Sequence, residues 1–426
     1  MSLIDLVVQS AQWKGEAVDV FISEGRIKEL APAGREPVSE SVRVVDAKGL
    51  VLLPSLTDVH THLREPGFEY KEDIASGLAA AAQGGFGQIM AMANTNPVND
   101  TASVTEHMLR QAQAAHPHGP RLYPIGALTR GLRGKELAPM AELAESGCRA
   151  FSNDGVPVLD TELFRRGVEY ASDLGRIVID HCEDPFMKPA AGVNEGVVSS
   201  ELGLAGQPDA GEAIQAARDI LLAEYLDLPL HLAHISSAKS VELIAAAKRR
   251  GVKITAETCP HYLVFTEEEV RGYNTAAKVN PPLRTHQDVQ AVRQALREGV
   301  IDILATDHAP HARHEKEVEF DQAPCGVSGL DTALSVTWGL VREGELSLDD
   351  FLRAWSSGPC KIFGLDCNGF KPGDPANFLL FAPEVEWEVA SSAMLSKGKN
   401  TPLLGRVLTG RVRSHFLLGR NIVPSG

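Results

Sequence analysis

Between residues 51 and 305, short apolar runs alternate with longer segments in which apolar residues recur every three or four positions. The runs fall at 51–57, 88–93, 121–128, 148–152, 176–179, 229–233, 252–256 and 301–305. Short continuous apolar runs suit strands buried on both faces, and the spacing between them is that of amphipathic helices packed outside. Segments 71–83, 212–225, 237–250 and 286–297 are the clearest helices, rich in Ala and Leu. Eight such alternations predict an α/β fold, an eight-stranded parallel (β/α)8 barrel.

The two ends of the chain read differently. Residues 4–8, 17–22 and 42–45 are short apolar stretches separated by turns, with Glu24-Gly25 between two hairpin strands. After a helical stretch at 348–355, the tail from Gly369 returns to short strands, at 377–381 and 406–408. The expected organisation is a catalytic barrel over 54–366, with 1–53 and 367–426 joining in one small composite β-rich domain. A chain of 426 residues is long enough for both.

Composition narrows the function classes. Hydrophobic residues make up 44% and charged residues 23%, an ordinary globular balance. The formal net charge of -15 opposes binding to nucleic acid or to an anionic membrane, which leaves a small molecule as the expected ligand. No apolar run approaches the roughly 20 residues of a bilayer span. The six cysteines form no Cys-x-x-Cys pair, and no basic segment followed by an apolar core opens the chain, so reduced thiols and a cytoplasmic location are expected.

The chemistry lies where the predicted strands end. His60 and His62, in Asp58-Val59-His60-Thr61-His62-Leu63-Arg64-Glu65-Pro66-Gly67, are two apart and share one face of a strand, so both imidazoles can reach one metal ion. Alone, such a pair is as readily two core or surface histidines. Strand two, however, ends in Asn94-Thr95-Asn96-Pro97, strand four in Asn153-Asp154-Gly155, strand five in Asp180-His181-Cys182-Glu183, strand six in His234, and strand eight in Thr306-Asp307-His308-Ala309-Pro310-His311. The carboxyl ends of barrel strands converge on one mouth. Four histidines and two aspartates gathered there are costly to leave unpaired, and they are nitrogen and oxygen ligands of the kind Zn²⁺ takes. His231 is expected to face away from His234, and His107, His116, His118 and His286 to be solvated.

These strings, with Phe151-Ser152-Asn153-Asp154-Gly155 and His231-Leu232-Ala233-His234-Ile235-Ser236, closely resemble the type I dihydroorotases of the amidohydrolase superfamily, over about residues 1–420. The resemblance implies two Zn²⁺ ions per subunit. His60, His62 and Asp307 would hold the first, His181 and His234 the second, and Asp154 and a hydroxide would bridge them. It further implies that Arg64, Asn94, Asn280, His311 and the loop at Cys325-Gly326 contact the substrate, together with His62. Asn153 stands where the family commonly has Asp, and Cys325 where an aromatic residue often stands. A homo-oligomer and association with aspartate transcarbamoylase are compatible with the resemblance.

The implied reaction is the reversible cyclisation of N-carbamoyl-L-aspartate to L-dihydroorotate, a step of pyrimidine (UMP) biosynthesis. A bridging hydroxide would be the nucleophile and Asp307 the general acid and base. Two Zn²⁺ against Asp154, Asp307 and hydroxide leave about one positive charge for a developing oxyanion. Arg64 offers a planar fork to the substrate carboxylate, and its place two residues after His62 would put it on the same strand face if the strand extends so far. Its alternative is an ion pair with Glu65. Residues 312–321, charged and without a core pattern, read equally as a lid or as a solvated connection. Two rival readings are a hydantoinase or allantoinase on the same scaffold, which would use a carboxylated lysine after strand four, and a non-catalytic homologue serving as structural partner of a transcarbamoylase. The sequence has no lysine between Lys135 and Lys188 and retains all six ligand candidates.

Overall fold

The computed structural model describes residues 4–35, 42–188 and 192–423. In chain order the strands are β1 Leu6–Trp13, β2 Glu16–Ser23, β3 Arg26–Pro32, β4 Arg43–Asp46, β5 Val51–Pro54, β6 Leu56–Thr61, β7 Phe86–Ala91, β8 Arg121–Pro124, β9 Gly126–Ala127, β10 Ala150–Ser152, β11 Ile177–Asp180, β12 Val193–Asn194, β13 Gly206–Gln207, β14 Leu230–Leu232, β15 Ile254–Thr258, β16 Ile303–Leu304, β17 Phe378–Glu388, β18 Val407–Leu417 and β19 Arg420–Asn421.

One sheet joins both ends of the chain in the order β19-β18-β17-β5-β1-β2-β3, with β4 alongside β1. Glu24 and Gly25 both take positive φ, 52° and 72°, and connect β2 to β3 as the two-residue turn the sequence suggests. The expected first barrel strand at 51–57 is overturned: β5 pairs antiparallel with β17 in the terminal sheet, and only from Leu56 does the chain enter the parallel system as β6. Ser55 alone separates the two strands, a break that a continuous apolar run hides.

The parallel strands run β6-β7-β8 and β9-β10-β11-β14-β15-β16. β8 and β9 are two pieces of one extended run, interrupted at Ile125, whose N–H bonds the Ala91 carbonyl at 2.8 Å. Beyond β16, His308 forms a parallel bridge with Thr61 at the end of β6. Helices Asp209–Leu226, Ala238–Arg249 and His286–Arg297 lie close to their expected bounds, the last capped by Thr285, whose side chain accepts from Asp288 N–H. The helix expected from residue 71 begins instead at Ile74, because Asp73 turns its carboxylate onto Ser76 N–H and caps it. Trp355 and Phe86 are fully buried, with ring centroids 5.2 Å apart edge to face. Burial of side chains this size contributes about 1.5–3 kcal/mol each, and it ties the outer helical layer to β7. No helix among the described residues is long and apolar enough to cross a membrane.

Candidate metal centre

The six predicted ligand residues come together at the carboxyl ends of the parallel strands, and all are buried. Asp154 Oδ1 lies 3.4 Å from His60 Nε2, 3.3 Å from His181 Nδ1 and 3.5 Å from His234 Nε2. Its other oxygen is 3.5 Å from His62 Nε2, and Asp307 Oδ1 is 3.1 Å from His62 Nε2 and 3.6 Å from His60 Nε2. Ligand atoms bound at 2.0–2.1 Å in a tetrahedron stand about 3.3–3.4 Å apart, so most of these separations are long for hydrogen bonds and right for edges of coordination polyhedra. His60 Nε2 and Asp154 Oδ1 are buried with no hydrogen-bond partner. Orphaned polar atoms that converge on one point, nitrogen and oxygen together, fit a divalent cation.

A surrounding layer decides which nitrogen each imidazole presents. His60 Nδ1 donates to Glu257 Oε1 at 2.6 Å, and His62 Nδ1 donates to Asn94 Oδ1 at 2.9 Å. His181 Nε2 lies 3.3 Å from Glu183 Oε2. His60 and His62 are thereby each left with Nε2 facing the cluster, the state a metal ligand needs, whereas His181 Nε2 also meets the Asn280 amide at 3.1 Å and its Nδ1 lies 2.8 Å from His234 Nε2. Glu257 Oε2 in turn accepts from His231 Nε2 at 3.1 Å, and His231 Nδ1 meets Thr255 Oγ1 at 2.8 Å. His231 therefore stays outside the cluster but supports it. Asp58 accepts from Thr306 N–H at 3.0 Å and so ties the end of β6 to the segment that carries Asp307.

The electrostatics agree. Burial disfavours charge at both His181 and Glu257, yet Asp154 and Glu183 push the His181 imidazole up to about 9, and His60 and His231 hold Glu257 down at about 2. Burial likewise opposes it, but His62 and His60 keep the Asp307 carboxyl below its ordinary range. The buried carboxylates demand positive charge from their surroundings. Strained backbone marks the same place: His234, Asp307 and Arg64 have φ of 34°, 46° and 62°. Such conformations cost of order 1 kcal/mol or more each and persist where the surroundings over-determine them.

The predicted substrate contacts are less uniform. β6 ends at Thr61, so Arg64 is not on the strand face of His62 as expected; its left-handed φ turns it toward the segment after β16. There Nε donates to the Pro310 carbonyl at 3.2 Å, and Nη2 lies 3.4 Å from His311. Arg64 does not pair with Glu65, whose carboxylate accepts from Ile74 N–H and Gln111. His311 Nε2 donates to the Cys325 carbonyl at 2.9 Å. Gly326, with φ of 143°, packs where a Cβ would meet the Ala309 carbonyl at 2.6 Å, so the bend admits only glycine. Asn280 sits beside His181, and its amide is occupied by Glu183 Oε2 at 2.6 Å and Gln207 at 3.1 Å. Asn94 likewise spends its oxygen on His62. The 312–321 segment has a core after all: it forms a short helix at Arg313–Lys316, and Phe320 is buried. Glu257 and Asp58 escaped the sequence reading. The signal for Glu257 is that it too ends a parallel strand, two residues before Cys259-Pro260.

A dihydro-orotase-like family model matches residues 49–240. The dihydroorotase of Syntrophus aciditrophicus (strain SB) is 47% identical over 414 residues, 97% of this chain and 96% of that protein. The dihydroorotase of Geobacter metallireducens is 46% identical over 404 residues, 95% and 94% of the two chains. Among solved structures, L-hydantoinase (dihydropyrimidinase) from Arthrobacter aurescens superposes with a TM-score of 0.88 over 100% of this chain and 97% of its own, at 22% identity. Dihydropyrimidinase from Brevibacillus agri NCHU1002 gives 0.80 at 22% identity over 98% and 95%. At that identity the structural likeness speaks for the fold alone, a parallel α/β scaffold, and the sequence relatives go further. With nearly half its residues shared over nearly its whole length, the chain belongs to the dihydroorotase family.

Proposed function

We propose that the chain is a metal-dependent dihydroorotase that interconverts N-carbamoyl-L-aspartate and L-dihydroorotate in the cytoplasm, on a closed (β/α)8 barrel over residues 54–366 flanked by a domain from 1–53 and 367–426. The observation that carries the reading is the lone-pair alignment of His60 and His62 toward Asp154 and Asp307, with His181 Nδ1 3.3 Å from Asp154 on the other side. Two zinc ions fit the donor set, with His60, His62 and Asp307 on one side, His181 and His234 on the other, and Asp154 between. Bound there, they would lower the pKa of water toward neutrality and polarise the amide carbonyl.

The chain's own groups complete the chemistry. Asp307 takes the proton of the attacking water at its free carboxylate oxygen and delivers it to the leaving ring nitrogen. Arg64, whose guanidinium ion-pairs with no carboxylate among the described residues, receives the substrate carboxylate beside His311. His311 stays neutral there, since burial and then Arg64 press its imidazole down to about 3. The lysine-bridged alternative lacks its lysine: Lys278 Nζ is engaged by the Phe320 carbonyl at 2.7 Å and Lys71 by Glu315 at 2.8 Å.

The test is elemental analysis of the purified protein together with dihydroorotate hydrolysis on the same sample. Two zinc equivalents, turnover of dihydroorotate, and rates on unsubstituted dihydrouracil lower by orders of magnitude are expected, because donors placed for a carboxylate stay empty with the analogue. Comparable rates on dihydrouracil would refute the substrate assignment. Ring opening creates a carboxylate from a neutral amide, so the equilibrium must shift toward hydrolysis as pH rises.

A further inference from the structure

Two lysines lie in the interior beside the proposed substrate pocket, and neither has a carboxylate partner among the described residues. Lys316 is 8% exposed and Lys278 1%. Lys316 Nζ donates to the carbonyls of Pro324 at 2.7 Å, Thr275 at 3.0 Å and Lys278 at 3.4 Å. Lys278 Nζ donates to the carbonyls of Phe320 at 2.7 Å and Asp321 at 3.1 Å, above the Phe320 ring. Carbonyl dipoles satisfy the N–H groups but do not cancel the charge, and an ammonium buried without a counter-ion is costly to keep. The same carbonyl of Lys278 also accepts from Gly326 N–H at 2.9 Å. The two side chains thus brace the segment that carries Asn280 against the loop that carries His311, Cys325 and Gly326.

We infer that Lys316 and Lys278 are specificity-determining positioning residues, which hold the 311–326 loop closed on residues 275–280 and make the pocket beside Arg64 electropositive for an anionic substrate. The inference rests on the dihydroorotase reading and sharpens it. N-carbamoyl-L-aspartate carries two carboxylates and L-dihydroorotate one, so a fixed positive field favours the open-chain dianion. Arg64 alone, which can fork onto one carboxylate, does not provide that preference. The groups that face Lys316 are the Cys325 thiol, Lys278, Arg64 and Glu315, and Lys316 in turn acts on His311 together with Arg64 and Lys71. Glu315, the one carboxylate among them, is already paired with Lys71.

The experiment compares zinc-loaded wild type with Lys316→Met, Lys316→Arg and Lys278→Met, measuring kcat and KM in both directions. Calorimetric titration with succinate, a dianion with no ring amide to open, reads the charge without catalysis. In Lys316→Met, KM for N-carbamoyl-L-aspartate and Kd for succinate should rise about tenfold, the size of one medium-range charge in a protein interior. KM for dihydroorotate should rise less, and kcat should change little. Lys316→Arg, which keeps the charge, should retain the wild-type KM ratio. Burial brings the Lys316 ammonium down to about 8. In wild type, KM for the dianion should therefore climb as pH passes about 8 and the charge is lost, a limb that Lys316→Arg moves to higher pH. Equal rises in KM for both substrates, or unchanged succinate affinity in Lys316→Met, would reduce the lysines to loop braces and overturn the inference. If Lys316→Met does not fold, Lys278→Met and the pH limb decide. A wild type that binds succinate in a Lys316-dependent way but turns over neither substrate would refute the dihydroorotase reading and leave the anion site standing.

Discussion

Glu257→Gln changes one atom and isolates the role of the carboxylate behind His60. The carboxylate accepts two hydrogen bonds, from His60 Nδ1 at 2.6 Å and His231 Nε2 at 3.1 Å, and it is fully buried. An amide offers one acceptor oxygen. If that oxygen stays on His60, the NH₂ faces His231, which can become the acceptor and donate from Nδ1 to Thr255 Oγ1, 2.8 Å away. The geometry then survives, but a negative charge next to the imidazole is gone, and with it the extra basicity of Nε2. Outer partners of metal ligands typically change affinity by about 10–100-fold, equivalent to about 1.4–2.7 kcal/mol. Zn²⁺ affinity, read by competition with a chromophoric chelator, should fall by that factor while circular dichroism stays unchanged. Because His60 and His231 hold the Glu257 carboxyl near 2, the loss should be constant from pH 6 to 9. Affinity within twofold of wild type would show that Glu257 is only a buried structural acid.

Asp307→Asn keeps size but loses the base, so turnover should drop by roughly 10²-fold or more, while zinc content falls less than in His181→Ala; near-normal turnover would misassign the proton carrier. Metal-free protein given Zn²⁺ in degassed buffer should recover as well as in bicarbonate, because Asp154 carries its carboxylate permanently, and Asp154→Ala should fail to hold both ions in either buffer. Recovery that rises several-fold with bicarbonate would point to a carboxylated lysine instead. His415 is fully buried between Ser55 Oγ and the Ala82 carbonyl, and burial depresses its imidazole to about 4. Below the ordinary value near 6.5 the unfolded chain takes up the proton first, so stability should decline as pH falls from 6.5 toward 4, by up to about 3 kcal/mol. Urea midpoints that decline as steeply in His415→Gln as in wild type would remove this residue from the account.

Periodicity located the parallel strands because burial on both faces leaves an unbroken apolar signature, and the ligands followed because each closes such a run. It misjudged 51–57, where two strands of different sheets abut with only Ser55 between them. It also carried the strand of His62 through to Arg64, since a positive φ at a non-glycine residue leaves no mark in composition. The loop after His311 read equally as a lid or a solvated connection because its buried lysines are charged residues, and sequence patterns count charge as exposure. Glu257 was missed for the same reason, and its presence alters the electrostatic reading of the site. Two zinc ions opposed by Asp154, Asp307 and hydroxide would retain about one positive charge, but the ionised Glu257 behind His60 cancels it, while Glu183 is offset by Lys188 at 3.1 Å. A centre close to neutral can stabilise an oxyanion through directed polarisation at short range. It has little long-range attraction for a substrate that arrives as an anion, at a protein whose net charge is -15. The attraction therefore has to come from beside the centre, where half-buried Arg64 and buried Lys316 and Lys278 have no carboxylate partners among the described residues.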